Sequence, residues 1–231
     1  MVLKGQFLER PTLIPLESGL VLEGVSHRGH KRPGLLVLPP PPLEGGGMDH
    51  VVGAELAYAV SRLGHPTLRF NYRGVGGSQG QPSKRPDDWL DDALAAFQLA
   101  LDNTEQAPPV LATIGASDAV ALKLIASKAI KAPGGDDVGR VIAGLVLINP
   151  SFVRAADFDA HAKLDWPLAV VLAEHDPQDR GQWASTLERL GGAFTLVPGA
   201  TRTYQRNLPL VGQAVASLMA LAEQGGAGGP R

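Results

Sequence analysis

The chain has 231 residues, with 21 basic against 23 acidic side chains for a formal charge of -2, and it contains no cysteine. Nothing in so balanced a charge suggests nucleic acid or an anionic membrane as partner, while disulfides, thiolate metal sites and thiol nucleophiles are excluded outright. The length suits one α/β domain, which can bury roughly 70–75% of its unfolded surface without covalent staples.

In chain order, residues 1–11 lack the apolar core and cleavage site of a secretory leader. No apolar run reaches the ~20 residues of a membrane span, so a cytoplasmic protein is expected. Residues 21–25 alternate apolar and polar and predict an early strand. Residues 34–38 (GLLVL) predict a buried strand stopped by Pro39. A helix at 52–63, a strand at 67–72 and a Gly- and Pro-rich loop at 73–86 follow. Further on, helices are expected at 89–101, 117–129, 182–190 and 210–222, and strands at 110–114, 141–148, 168–173 and 194–197. A loop is expected at 131–139. The alternation is that of a mostly parallel sheet covered on both faces. No composition shift marks a second domain, so residues 1–224 are read as one unit and the Gly-rich residues 225–231 as an unpacked, flexible tail. Only residues 149–167 could form a cap, and they are few.

Chemistry concentrates where the strand at 110–114 runs into Gly115-Ala116-Ser117-Asp118-Ala119 and then a helix. Gly-x-Ser-x-small between strand and helix is the setting of a nucleophile elbow, a strained turn that exposes a serine hydroxyl; the competing reading is an ordinary strand-to-helix turn. The Asp118 N–H, at the helix start, could bind a developing oxyanion, or Asp118 could simply cap the helix. Gly76-Gly77-Ser78-Gln79-Gly80 also matches Gly-x-Ser-x-Gly, but Pro82 and a polar run follow it, so Ser78 is read as shaping a loop. Neither a dinucleotide-binding glycine pattern nor a Walker A segment is present, and no cofactor is expected. Asp157, Asp159 and His161 match no metal-ligand spacing, and no metal is expected. Asp176 follows the strand at 168–173, at the strand end where open α/β sheets place their sites. A solvated turn aspartate is the alternative there.

Two stretches carry a resemblance: Pro39-Pro40-Pro41-Pro42-Leu43-Glu44-Gly45-Gly46-Gly47-Met48-Asp49, and Leu68-Arg69-Phe70-Asn71-Tyr72-Arg73-Gly74-Val75-Gly76-Gly77-Ser78-Gln79-Gly80. They resemble small, capless bacterial α/β-hydrolases related to the dienelactone hydrolases, which carry His-Pro-His-Pro, Gly-Gly-x-Met-Asp and Arg-Phe-Asn-Phe-Arg-Gly-Val-Gly-x-Ser-x-Gly. The similarity runs from about residue 35 to about residue 218. It implies the α/β-hydrolase fold, a nucleophile at Ser117 and a triad acid at Asp176. The family's Gly-Ala-Asp-His matches Gly199-Ala200-Thr201-Arg202, so Arg202 replaces the base, and no histidine follows His175. Arginine stays protonated and has no acceptor. The position implied for the second oxyanion donor is Pro41, which has no N–H. Losing one such donor costs about 2.7–4 kcal/mol of transition-state stabilisation.

Neither His175, whose side chain should point away from that of Asp176 on an extended segment, nor His50, which could line the pocket, is a natural substitute base. The sequence therefore predicts a catalytically degenerate hydrolase homologue that binds a small acyl-type ligand or a protein partner. The alternative is an active esterase using Ser117 with a rearranged base such as His50. Substrate, partner and oligomeric state are not legible.

Overall fold

The computed structural model describes residues 8–127 and 141–226. The loop expected at 131–139 and positions 227–231 of the expected tail lie outside the described residues, while positions 225 and 226 close the last helix. The strands are β1 (Arg10–Pro15), β2 (Val21–His27), β3 (Leu35–Leu38), β4 (Thr67–Phe70), β5 (Val110–Ile114), β6 (Gly144–Ile148), β7 (Leu168–Ala173) and β8 (Ala193–Val197). The helices are α1 (Val51–Ser61), α2 (Pro86–Asp102), α3 (Ser117–Ile125), α4 (Arg180–Leu190) and α5 (Leu208–Gly226).

Among the described residues, all eight strands join one sheet in the order β1-β2-β4-β3-β5-β6-β7-β8. β1 and β2 are antiparallel, as are β2 and β4; every other pairing is parallel. The mostly parallel, doubly covered sheet expected from the alternation is thus observed. β1 is the strand the sequence reading does not anticipate. It lies at the sheet edge between Pro11 and Pro15, and among its inward residues only Ile14 is fully buried. Edge strands tolerate proline, and one buried side chain leaves little alternation to read.

The central strands are apolar at every position because both faces are covered. In β3, Leu36 and Leu38 join Phe97 of α2, Val120 and Leu124 of α3 and Trp183 of α4 in one core. Leu35 and Val37 join Val52 and Leu56 of α1 and Val211 and Val215 of α5 in the other. Each such burial stabilises by about 1.5–3 kcal/mol. Among the described residues no helix is long and apolar enough to cross a membrane.

The chain runs outward from β3 to β4, then returns to place β5 on the other side of β3. That reversal is the topological switch point, where open α/β sheets form their crevice at the strands' C-terminal ends. Two loops meet there: residues 39–50 after β3, and the turn between β5 and α3. The first is pinned from β4. Asn71 Oδ1 accepts from Met48 N–H at 2.7 Å, and Arg69 Nη1 donates to Met48 O at 2.7 Å. Gly47 fits this approach because a Cβ there would lie 2.8 Å from Asn71 Oδ1. The Arg-Phe-Asn segment therefore acts mechanically, by fixing the loop that carries Glu44.

Candidate active site

β5 passes into α3 through a single left-handed residue, Gly115, with φ +60°. Ala116 is already right-handed and Ser117 is the first residue of α3. Glycine adopts the left-handed conformation freely, whereas another residue would lose roughly 1–2 kcal/mol. The expectation that Ser117 occupies the strained turn is corrected here: the turn centres two residues earlier. Ser117 is fully buried. Its Oγ accepts from Ile114 N–H at 2.9 Å, and its hydrogen faces Leu38 O and Ile114 O at 2.9 and 3.0 Å. The hydroxyl ties the end of β3 to the end of β5, and those backbone partners use its hydrogen-bonding capacity.

The space beside Gly115 is taken by another group. A Cβ built on Gly115 would lie 2.7 Å from Glu44 Oε2 and 3.8 Å from Ser151 Oγ. Ala116 N–H donates to the same Glu44 oxygen at 3.2 Å. Glu44 ends a short 3-10 turn, Pro42–Glu44, whose capping residue is Pro41. Pro41 does not face the site with a donor; its carbonyl accepts from Glu44 N–H at 2.9 Å. The proline run thus bends the chain so that Glu44 reaches the start of α3, where a helix N-terminus favours negative charge.

Ser151, on the other side of Gly115, belongs with a second charged pair. Arg202 Nη2 donates to Ser151 Oγ at 2.8 Å and to Asn149 O at 2.7 Å, and Arg202 Nη1 lies 3.2 Å from Asp176 Oδ2. Asp176 is buried just past β7, as the strand-end rule anticipates, and its Oδ1 accepts from Gln178 N–H at 2.9 Å. Its Oδ2 is met by the arginine as an ion pair without hydrogen-bond alignment. Asn149, left-handed at φ +43°, also anchors this wall: Oδ1 accepts from Tyr204 OH and from Ala173 N–H, each at 2.8 Å. The Tyr204 hydroxyl titrates well above the ordinary tyrosine range, chiefly because it is buried and secondly because the Asp176 charge is near.

The remaining sequence candidates stand around this cluster. Asp118 is buried, with Oδ1 accepting from Ala119 N–H at 2.6 Å and Oδ2 from Phe152 and Val153 N–H at 2.8 Å each. It holds the segment carrying Ser151, and its own N–H faces Gly115 O at 3.3 Å rather than open space. His50 caps α1, its Nδ1 accepting from Val52 N–H at 3.3 Å. Burial lowers the His50 pKa, against a smaller upward pull from Glu44. His175 is exposed where Asp176 is buried, and the two follow a turn after β7, not the extended segment expected. Ser78 donates to Asn71 O at 2.8 Å and accepts from Glu23 N–H at 2.9 Å, an internal strut of its loop. Asp157 caps the 3-10 turn Ala155–Phe158 by accepting from Arg154 N–H, and Asp159 pairs with Arg189 at 3.6 Å.

The structure therefore brings together Gly115, Ala116, Glu44, Ser151, Arg202 and Asp176, and leaves Ser117 outside as an internal strut. Glu44, Gly115 and Ser151 are the residues that sequence reasoning passes over. For Gly115 a signal existed: it is the one residue between β5 and α3 that is at ease with positive φ. Glu44 approaches Ala116 from 72 positions away, and no local pattern announces that.

The strand order, the antiparallel first pair, the left-handed turn between β5 and α3 and the acid after β7 define the α/β-hydrolase fold. The chain is similar to an alpha-beta serine hydrolase homologue from Coxiella burnetii, at TM-score 0.69 and 22% identity over 90% of this chain and 96% of that one. It is also similar to XC6422 of Xanthomonas campestris, described as an α/β serine hydrolase without lid, at TM-score 0.68 and 21% identity over 93% and 95%. A third likeness is to Est1E of Butyrivibrio proteoclasticus, solved with ferulic acid bound, at TM-score 0.70 and 16% identity over 91% and 98%. At these identities the likeness is one of fold. Over 154 residues the chain is 32% identical to the uncharacterized proteins MT2364 and Rv2307c of Mycobacterium tuberculosis, covering 65% of this chain and 50% of each of theirs. It thus spans about half the length of these curated relatives. No protein-family model matches the chain.

Proposed function

We propose that this protein is a catalytically silent member of the α/β-hydrolase fold, acting by binding a ligand or a protein partner. In serine hydrolases of this fold the nucleophile projects from the turn between strand and helix, and the N–H of the next residue binds the oxyanion. The observation that carries the proposal is the state of those two positions. The turn residue is Gly115, which has no side chain, and the next N–H, that of Ala116, is engaged by the Glu44 carboxylate.

Two further observations support it. Arg202 lies against Asp176, where a triad requires a group that can accept a proton, and a guanidinium cannot. Exposed apolar side chains also adjoin the cluster in sequence: Leu43 beside Glu44 and Phe152 beside Ser151, at 57% and 64% exposure. An esterase built on Ser117 has the geometry against it, since that hydroxyl is surrounded by backbone groups and has no imidazole among its hydrogen-bond partners.

Turnover of short p-nitrophenyl esters tests the proposal. The purified chain should hydrolyse them no faster than buffer. Turnover that Ser117→Ala abolishes would return the protein to the active esterases.

A further inference from the structure

A second site lies at the opposite end of the sheet and is independent of the reading above. His27 ends β2 and pairs in register with Thr67, the first residue of β4, so it stands at the end remote from Gly115. A cleft of about 540 Å³ opens there, lined by Arg10, Ser26, His27, Arg28, Gly29 and Asn103 together with neighbouring proline and threonine surface. Its depth has a local cause. Gly29 lies against the Gly64–Pro66 backbone so closely that a Cβ would collide with His65 and Pro66, which keeps the chain after β2 down on the sheet end.

The lining is one-sided in charge. It includes two guanidiniums and no carboxylate. Neither Arg10 nor Arg28 has an ion-pair partner among the described residues. The nearby acid, Glu9, is paired with Arg69 instead. His27 is buried, with Nδ1 2.9 Å from Thr67 Oγ1, which leaves Nε2 without a protein partner among the described residues. Burial lowers its pKa, with Glu9 pulling upward and Arg69 downward by smaller amounts, so the ring serves as a neutral hydrogen-bonding group beside the two cations. The Asn103 side-chain amide is another group without a protein partner among the described residues. Planar guanidiniums present forked N–H pairs that match phosphate oxygens two at a time. The volume falls within the ~300–1,000 Å³ of small-ligand sites, larger than a bare oxyanion needs.

We propose that this cleft binds a small phosphomonoester, with the phosphate held between Arg10 and Arg28 and the organic body lying against Asn103 and the proline-lined wall. Glucose 6-phosphate is a suitable probe, with glucose and inorganic phosphate as the two comparison arms, measured by isothermal titration calorimetry on the whole chain. Saturable binding of the ester, weakening as salt is raised, is expected. Glucose should not bind, and inorganic phosphate should bind more weakly than the ester. Arg10→Ala with Arg28→Ala should weaken the ester by at least about tenfold while the thermal midpoint stays near that of the parent. If that pair fails to fold, Arg28→Ala alone, at an exposed position after β2, should still weaken binding severalfold. Absence of ester binding, equal binding of inorganic phosphate, or an affinity unmoved by the arginine substitutions in a folded variant would overturn the assignment.

Discussion

Glu44 Oε2 accepts the Ala116 N–H at 3.2 Å, and the same oxygen lies 2.7 Å from where a side chain on Gly115 would begin. A side chain at position 115 would therefore compete for the space this exposed carboxylate fills, and Glu44 must shift to admit one. Gly115→Ser should destabilise by about 1–2 kcal/mol for the left-handed backbone alone, and displacing Glu44 also gives up its hydrogen bond with Ala116 N–H. In a double-mutant cycle with Glu44→Ala, a coupling above roughly 0.5 kcal/mol is expected. Denaturant midpoints measure it, and strictly additive effects would show that Glu44 does not fill that space.

Ser117 offers a contrasting test. Removing its hydroxyl leaves the buried Ile114 N–H and Leu38 O without that partner. Ser117→Ala should therefore cost about 1–3 kcal/mol of stability and change no activity. An unaltered melting midpoint would contradict the internal-strut role.

Arg202 is the charge facing Asp176, a buried carboxylate whose Oδ2 has no aligned hydrogen bond. Arg202→Ala removes that charge and also the links to Ser151 and Asn149. Breaking a fully buried pair costs about 3–5 kcal/mol, but the arginine side chain is 39% exposed, so solvent screening reduces the expected loss to roughly 1–3 kcal/mol. Thermal or chemical denaturation of the single variant reads this directly.

His27, His50 and His65 each titrate below the ordinary histidine value, and in each the largest cause is burial. With the folded values depressed, the unfolded chain takes up these protons first as pH falls through about 6.5. The folded state is then disfavoured, so the stability they permit is complete above about 6.5 and declines as pH falls toward the folded values. Urea midpoints should fall between pH about 7.5 and about 5.5. A flat profile over that interval would contradict neutral buried rings.

The sequence made the sheet legible because its central strands are apolar on both faces and its helices carry helical periodicity. β5 and β7 fall at the expected bounds, Val110–Ile114 and Leu168–Ala173. The placement of the candidate residues was legible, their contacts less so. The turn after β5, Asp176 and the facing Arg202 all sit at the C-terminal end of the parallel strands. The turn's centre was misplaced by two residues because Ser117 offers the expected chemistry, while Gly115 satisfies the backbone requirement that governs such a turn. Long-range contacts hid the rest: Glu44 with Ala116, Ser151 with Arg202 and Asp118 with Phe152 depend on packing, not on spacing.

Repair gives a constructive prediction. Arg202→His with Pro41→His puts an imidazole at position 202 and an N–H at position 41 but supplies no nucleophile at position 115, so that pair should remain inert. Adding Gly115→Ser and Glu44→Ala supplies the hydroxyl and frees the Ala116 N–H, and ester turnover above buffer is expected in whatever fraction folds. Turnover by the two-residue variant alone would mean that a serine other than one at position 115 serves.

The most direct measurement of catalytic silence is intact-mass analysis of the unmodified chain after prolonged exposure to a fluorophosphonate, which captures only serines activated for attack. The chain should return at its starting mass. A stoichiometric adduct, mapped by peptide sequencing to Ser117, Ser151 or any other serine, would contradict the account.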